Sequence, residues 1–216
     1  MAVPLAFGVV GTVILLALGI WQVQRLAWKN EVIALIDARM AGTAGALPAA
    51  PTEADNEYAR VHLSGTIEAG ELHALTSRGG LGYRVVAPLV LDDGRRVLLD
   101  RGFVADTAKD APRPIGRVEV EGTLHWPDET DRFTPDPNLE RNIWFARDVA
   151  AMAAALDTEP VLVVASALSL PGTSPMPVVA AIPNNHLGYA VTWFGMAAAW
   201  AVMTLHLLWR IKRRTD

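Results

Sequence analysis

The chain contains no cysteine. That excludes disulfides, c-type haem attachment, iron–sulfur ligation and a thiol-based copper relay. Its few, scattered methionines do not replace the soft sulfur ligands that copper handling requires. Any exported domain must therefore be held by its core, which is feasible at roughly 150 residues. A positive field is also missing. The net charge of −4 and pI near 5.7 give no basis for binding nucleic acid, and no nucleic-acid partner is expected. Catalytic signatures are absent too: there is no G-x-S-x-G elbow and no H-E-x-x-H spacing. Asp92 with Asp93, and Asp128 with Asp131, lie in turn-like text, where Asp serves backbone geometry. The Gly79–Gly82 run leads from one strand pattern into another. Without a following helix N-terminus it reads as a turn, not a dinucleotide site. The reading is of a protein that is not an enzyme.

Charge is missing in two further places. Residues Pro4 to Gln24 carry none, and residues His186 to Trp209 carry none apart from the two histidines. These stretches lift the mean hydropathy of the chain to +0.25. A bilayer core of ~30 Å takes about 20 apolar residues as a helix, so each stretch is long enough to span it. The expected fold is a membrane α-helical hairpin of two transmembrane helices, residues 4–24 and 186–209. Residues 25–55 form a helix extension and linker, 56–183 an extracytoplasmic α+β domain, and 210–216 a basic cytoplasmic tail. Arg210, Lys212, Arg213 and Arg214 place the C-terminus in the cytoplasm, against the weaker opposite pull of Arg25 and Lys29. Both termini are then cytoplasmic, and the central domain lies across an inner membrane in the periplasm. The first stretch lacks a positive n-region and an A-x-A-like site, so it reads as a retained span rather than a signal peptide.

Between the stretches the pattern is that of strands. Ala59–Gly65 and Val118–Trp126 alternate apolar with polar residues, and Glu71–Thr76 does so less cleanly. Tyr83–Leu91 and Arg96–Val104 flank Asp92-Asp93-Gly94, a hairpin turn signal. Asp148–Leu156 reads as a helix and Glu159–Ser166 as a further strand. The expectation is an antiparallel sheet or small open barrel with one wet face and one packed helix. On that sheet His62, His73 and His125 are expected on solvated faces.

Two constellations stand out at one end of the spans. On a helix, Tyr189, Trp193 and Trp200 fall within roughly 60° of His186. Trp21, Arg25 and Trp28 share one face of the first helix through i, i+4, i+7 spacing. One reading is an interfacial aromatic belt with a snorkelling arginine. The other is a face for a flat macrocycle, with imidazole on the iron and Arg25 on a propionate. His206, about one turn from the inner end of the second span, reads as a neutral side chain bonded across to another helix.

Longer segments resemble a known family. Leu18-Gly19-Ile20-Trp21-Gln22-Val23-Gln24-Arg25-Leu26-Ala27-Trp28-Lys29 and Asn184-Asn185-His186-Leu187-Gly188-Tyr189-Ala190-Val191-Thr192-Trp193-Phe194-Gly195 are similar to the two span signatures of the Surfeit-locus-one family of cytochrome c oxidase assembly factors. Gly79 to Val104, Phe133-Thr134-Pro135 and Asn142-Ile143-Trp144-Phe145-Ala146-Arg147-Asp148 resemble its middle blocks in the same order. Asp100, Phe103, Ala105 and Phe194 depart from residues frequent in the family.

The resemblance implies assembly of an aa3-type oxidase through insertion of haem a into its catalytic subunit. His186 would be an axial ligand of the haem iron, with Tyr189, Trp193 and Trp200 lining the macrocycle and Arg25, Trp21 and Trp28 beside it. The implied partners are the catalytic subunit and the lipid bilayer, with haem a synthase as a further candidate. The alternative is a haem-independent scaffold that holds the nascent subunit.

Overall fold

A computed structural model describes residues 2–77, 80–180 and 182–215. Gly79, first residue of the glycine run, lies outside them. The chain divides into two compact units: Met1–Leu35 with Ala181–Asp216, and Ile36–Ala180.

The central unit is built on six strands: β1 (Arg60–Ile67), β2 (Leu72–Thr76), β3 (Gly82–Leu91), β4 (Arg96–Ala105), β5 (Gly116–Leu124) and β6 (Leu162–Leu168). They pair in the order β1-β5-β6-β4-β3-β2, and β1 pairs again with β3. The second pairing closes β1, β5, β6, β4 and β3 into a small barrel. It works because β3 divides its free edge, giving Gly82–Val86 to β2 and Leu89–Leu91 to β1. Of the two expected forms, antiparallel sheet or small open barrel, the barrel is the one found, and the β1–β3 pairing closes it. One seam, β4 with β6, is parallel.

Two apolar layers hold this unit. Inside the ring, Val61, Leu63, Leu89, Leu99, Val120 and Val163 interlock. Outside it, Val86, Leu98, Leu162 and Val164 pack beneath the helix Val149–Leu156 through Met152 and Ala153. That helix is started by Asp148, whose carboxylate accepts from the Ala151 amide at 3.0 Å, satisfying one orphan donor of the first turn. β1 keeps the strict alternation read from its sequence. β3 and β4 do not, because helix and loop cover their outer faces and bury nearly every residue. The predicted turn forms, with the Gly94 amide donating to the Leu91 carbonyl at 3.0 Å.

The terminal unit consists of α1, which spans Ala2–Ala41 and also leads into the central unit, and α4, which spans His186–Thr215. The chain also holds α2 (Glu53–Asn56) and the packed helix Val149–Leu156, here α3. Pro4 sits in the first turn of α1, where its missing amide hydrogen costs no helical bond. Only 11% of the most apolar part of α1 and 6% of that of α4 is buried. A soluble core helix buries its apolar surface; these two helices present theirs outward, and both are long and apolar enough to cross a membrane.

Candidate functional site at the helix pair

α1 and α4 pack antiparallel. Gly8 lies against Thr204, Gly11 against Trp200 and Gly19 against Phe194. At Gly19 a Cβ would come within 2.6 Å of the Phe194 ring, and at Gly11 it would overlap the Trp200 indole. The absent side chains let the helices approach, as small residues do where lipid supplies no hydrophobic drive. On α4 the seam is completed by Ala190 and Ala197, each 2% exposed.

Hydrogen bonds join the pair at both ends. The Trp200 indole N–H donates to the Gly8 carbonyl at 3.1 Å. At the other end the Asn184 amide donates to Asn30 Oδ1 at 2.8 Å, which leaves Asn184 Oδ1 buried without a partner among the described residues. Between these, His186 Nδ1 lies 2.7 Å from Oε1 of Gln22, itself buried. With a carbonyl oxygen as acceptor, Nδ1 carries the proton and Nε2 keeps the lone pair. That is the tautomer in which an imidazole ligates iron, and the bond fixes the ring plane as well.

Sequence reasoning found His186 but passed over Gln22. A signal was present: Gln22 stands at seven-residue spacing from Gly8 and Leu15, on the seam of α1 rather than its exposed side.

The other candidate residues share one flank of the pair. An apolar groove between the helices is lined by Phe7, Gly11 and Ile14 of α1 and by Met196, Trp200 and Met203 of α4. Steps of seven residues keep nearly the same azimuth on a helix. From Phe7 and Ile14 they reach Trp21 and Trp28; from Gly11 they reach Leu18 and Arg25. From Met203 and Met196 they reach Tyr189; from Trp200 they reach Trp193 and His186. Trp21, Trp28 and Tyr189 are about half exposed, whereas Trp193 and Trp200 are partly covered by the seam. The Arg25 guanidinium lies 4.0 Å from the centre of the Trp28 ring, a cation–π contact that holds it on this flank. His206 is exposed with its ring 5.7 Å from that of Trp209, and among the described residues it makes no bond to α1.

The charged groups of the barrel are arranged differently. Asp100, fully buried, accepts from Arg84 at 2.5 Å and from Arg147 at 3.3 Å, and Arg147 also grips Glu129. Burial raises the Glu129 pKa, but the hydrogen bond and charge of Arg147 outweigh it and bring the carboxyl below its usual range. Glu71 bonds Arg113 and His73. Its burial likewise favours the neutral acid, yet the bonds from His73 and Arg113 hold it at about 2. Arg101, 1% exposed, enters this cluster through a bulge that sets Val85 opposite Gly102 and Val86 opposite Asp100.

Two histidines depart from the expected solvated faces. His73 is buried because β2 is not an open edge: its backbone bonds the Trp144 segment, and Arg113 folds over its outer end. His125 is mostly covered and pairs with Glu57 at 2.6 Å. His62 remains half exposed beside Glu119, as expected. Asp93 and Asp131 accept backbone amides of their own turns, as their sequence settings imply.

Comparison with known proteins adds one result. The model of the SURF1 family matches residues 9–198. The chain is 34% identical to Surfeit locus protein 1 of Homo sapiens over 209 residues, covering 84% of this chain and 70% of that protein. It is 31% identical to the SURF1-like protein of Monosiga brevicollis over 218 residues, covering 90% and 84% respectively. Surfeit locus protein 1 of Rattus norvegicus is 31% identical, covering 84% of this chain and 68% of that protein.

Proposed function

Because the chain belongs to the SURF1 family, we propose that it is a membrane-anchored assembly factor for an aa3-type cytochrome c oxidase that carries haem a on its helix pair. The observation that carries the reading is the bond between Gln22 and His186. A histidine whose Nδ1 is held by a buried carboxamide has its orientation and tautomer set before any ligand arrives. That arrangement serves a metal-binding imidazole. His186 Nε2 accepts no hydrogen bond among the described residues, and the flank beside it carries apolar rings and a stacked guanidinium. The residues present therefore fit a haem.

In this reading His186 ligates the iron. Trp193 and Tyr189 line the flank beside the macrocycle, with Trp21 and Trp28 across from them, and Trp200 stands further along the same flank. Arg25 pairs with a propionate through charge-assisted bonds. Stacking on Trp28 limits the side-chain freedom Arg25 has to lose on binding. His186 would be the one ligand this chain gives the iron, which would suit a carrier that must release its cargo to the oxidase catalytic subunit. Haem a synthase is the partner such a carrier would receive it from. Both helices cross the inner membrane, with the basic end of α4 in the cytoplasm and the barrel on the periplasmic side.

The test is the absorption spectrum of the protein purified from cells that make haem a. The wild type is expected to show a haem a spectrum and His186→Ala to lose it. A His186→Ala variant with the wild-type haem content and spectrum defeats the ligand assignment. Undiminished co-purification of the oxidase subunit from cells unable to make haem a favours a scaffold instead.

A further inference from the structure

The groove between α1 and α4 is deeper in the helix pair than His186, on the same flank, and has no role in holding iron. Its volume is about 580 Å³. At 1.5 Å per residue, its upper lip at Met196 lies about 15 Å along α4 from His186, and its lower end at Met203 about 25 Å. Gly11 forms its floor, and Phe7 and Trp200, whose ring centres are 5.7 Å apart, close its lower end. Two methionines supply an unbranched, polarizable wall that adapts to an irregular chain. No side chain lining it is charged.

Haem a differs from haem b in carrying a long isoprenoid chain on the ring edge opposite its propionates. A propionate held at Arg25, near the outer ends of the helices, would direct that opposite edge inward along the flank toward Met196. We infer that the groove receives the isoprenoid tail and makes this chain selective for tailed haems. The inference rests on the carrier reading above and adds to it a specificity site remote from the iron ligand. In a bilayer the tail gains nothing from leaving water, because lipid is equally apolar. Selectivity must come from packing against a preformed notch. The glycine floor and ring-closed end provide such a notch, which a uniform leucine surface would not.

The experiment titrates haem a, haem o (which has the tail) and haem b (which lacks it) into the detergent-solubilised full-length protein. Wild type and Ala199→Phe are compared. Ala199 lines the groove but is exposed, so a larger side chain there narrows the groove without entering the helix seam. The wild type is expected to bind haems a and o about tenfold more tightly than haem b. Ala199→Phe should bind all three at the haem b level with an unchanged histidine-ligated spectrum.

Equal wild-type affinities for haems o and b overturn the tail site and leave the carrier reading intact. So does a preference that survives Ala199→Phe, since it then arises from the surrounding micelle. Retained tail preference with loss of the co-purifying oxidase subunit assigns the groove to a partner helix and also overturns the inference. Binding of none of the three haems by wild type removes the carrier reading itself.

Discussion

The barrel and the helix pair treat polar groups in opposite ways. In the barrel, charge is buried in quantity and matched: Asp100 between Arg84 and Arg147, and Glu71 between His73 and Arg113. In the helix pair few polar side chains are buried among the described residues, and Asn184, His186 and Trp200 each make one contact across the seam. A dense, mutually neutralising network fixes a shape but leaves little chemistry available. In the helix pair an isolated bond orients the His186 imidazole, and Nε2 accepts no hydrogen bond among the described residues. The carboxyls with lowered pKa, Glu71 and Glu129, belong to the barrel, where His73, Arg113 and Arg147 engage them.

The contrast can be broken by variants that act on one region only. The largest effect is expected from Gly11→Leu, which drives a side chain into the Trp200 indole. Cysteines at Asn30→Cys and Asn184→Cys, positions whose side chains meet across the pair, in a chain with no cysteine of its own, should be joined by a short bifunctional thiol reagent and cease to be joined in Gly11→Leu. The melting of the barrel should not move. Next is Asp100→Ala, which leaves two buried guanidinium groups without their shared anion. A loss of about 3–5 kcal/mol in barrel stability is expected in denaturant unfolding. The haem content of the folded fraction should stay at the wild-type value.

Gln22→Leu should be smaller in stability and specific to the other region. Haem a affinity is expected to fall about 10–100-fold by spectral titration, with the Asn30–Asn184 cross-link retained. A cross-link lost along with the haem would reduce Gln22 to a packing residue.

The smallest effect is the acid dependence of the barrel. The Glu71 carboxyl is held at about 2 against an ordinary value of 4.5, so the folded state favours its ionised form. That contribution is present above pH 4.5 and is lost as the pH falls toward 2. Thermal melts across this window should decline less steeply in Glu71→Gln. Equal slopes would show that the His73–Glu71–Arg113 cluster carries none of the acid response.

Much of this was legible in the residues. The two charge-free runs, the Asp92-Asp93-Gly94 hairpin and the Asp148-capped helix each follow from local chemistry and sit where the sequence puts them. His186 was singled out from its place at the head of an apolar run with Tyr189 and Trp193 on its face; its contact with Gln22 was not. His73 was not: its alternation with Glu71 is that of a wet strand face, and only the Trp144 segment and the Arg113 loop, brought in from far along the chain, cover it. Gln22 was hidden because a polar residue near the end of a span has an ordinary explanation in headgroup contact. Its partner is 164 positions away.

By itself the amino-acid order determined periodicity, span length and the resemblance to a family, because these depend on neighbours in the chain and on average solvation. Tertiary structure decided that β1 returns to β3 and closes the ring, and that β4 and β6 run in the same direction. It also decided which nitrogen of His186 is engaged and which is left. Those outcomes depend on atoms meeting across long sequence separations, where a shift of one residue in register or one turn of helix would reverse the result.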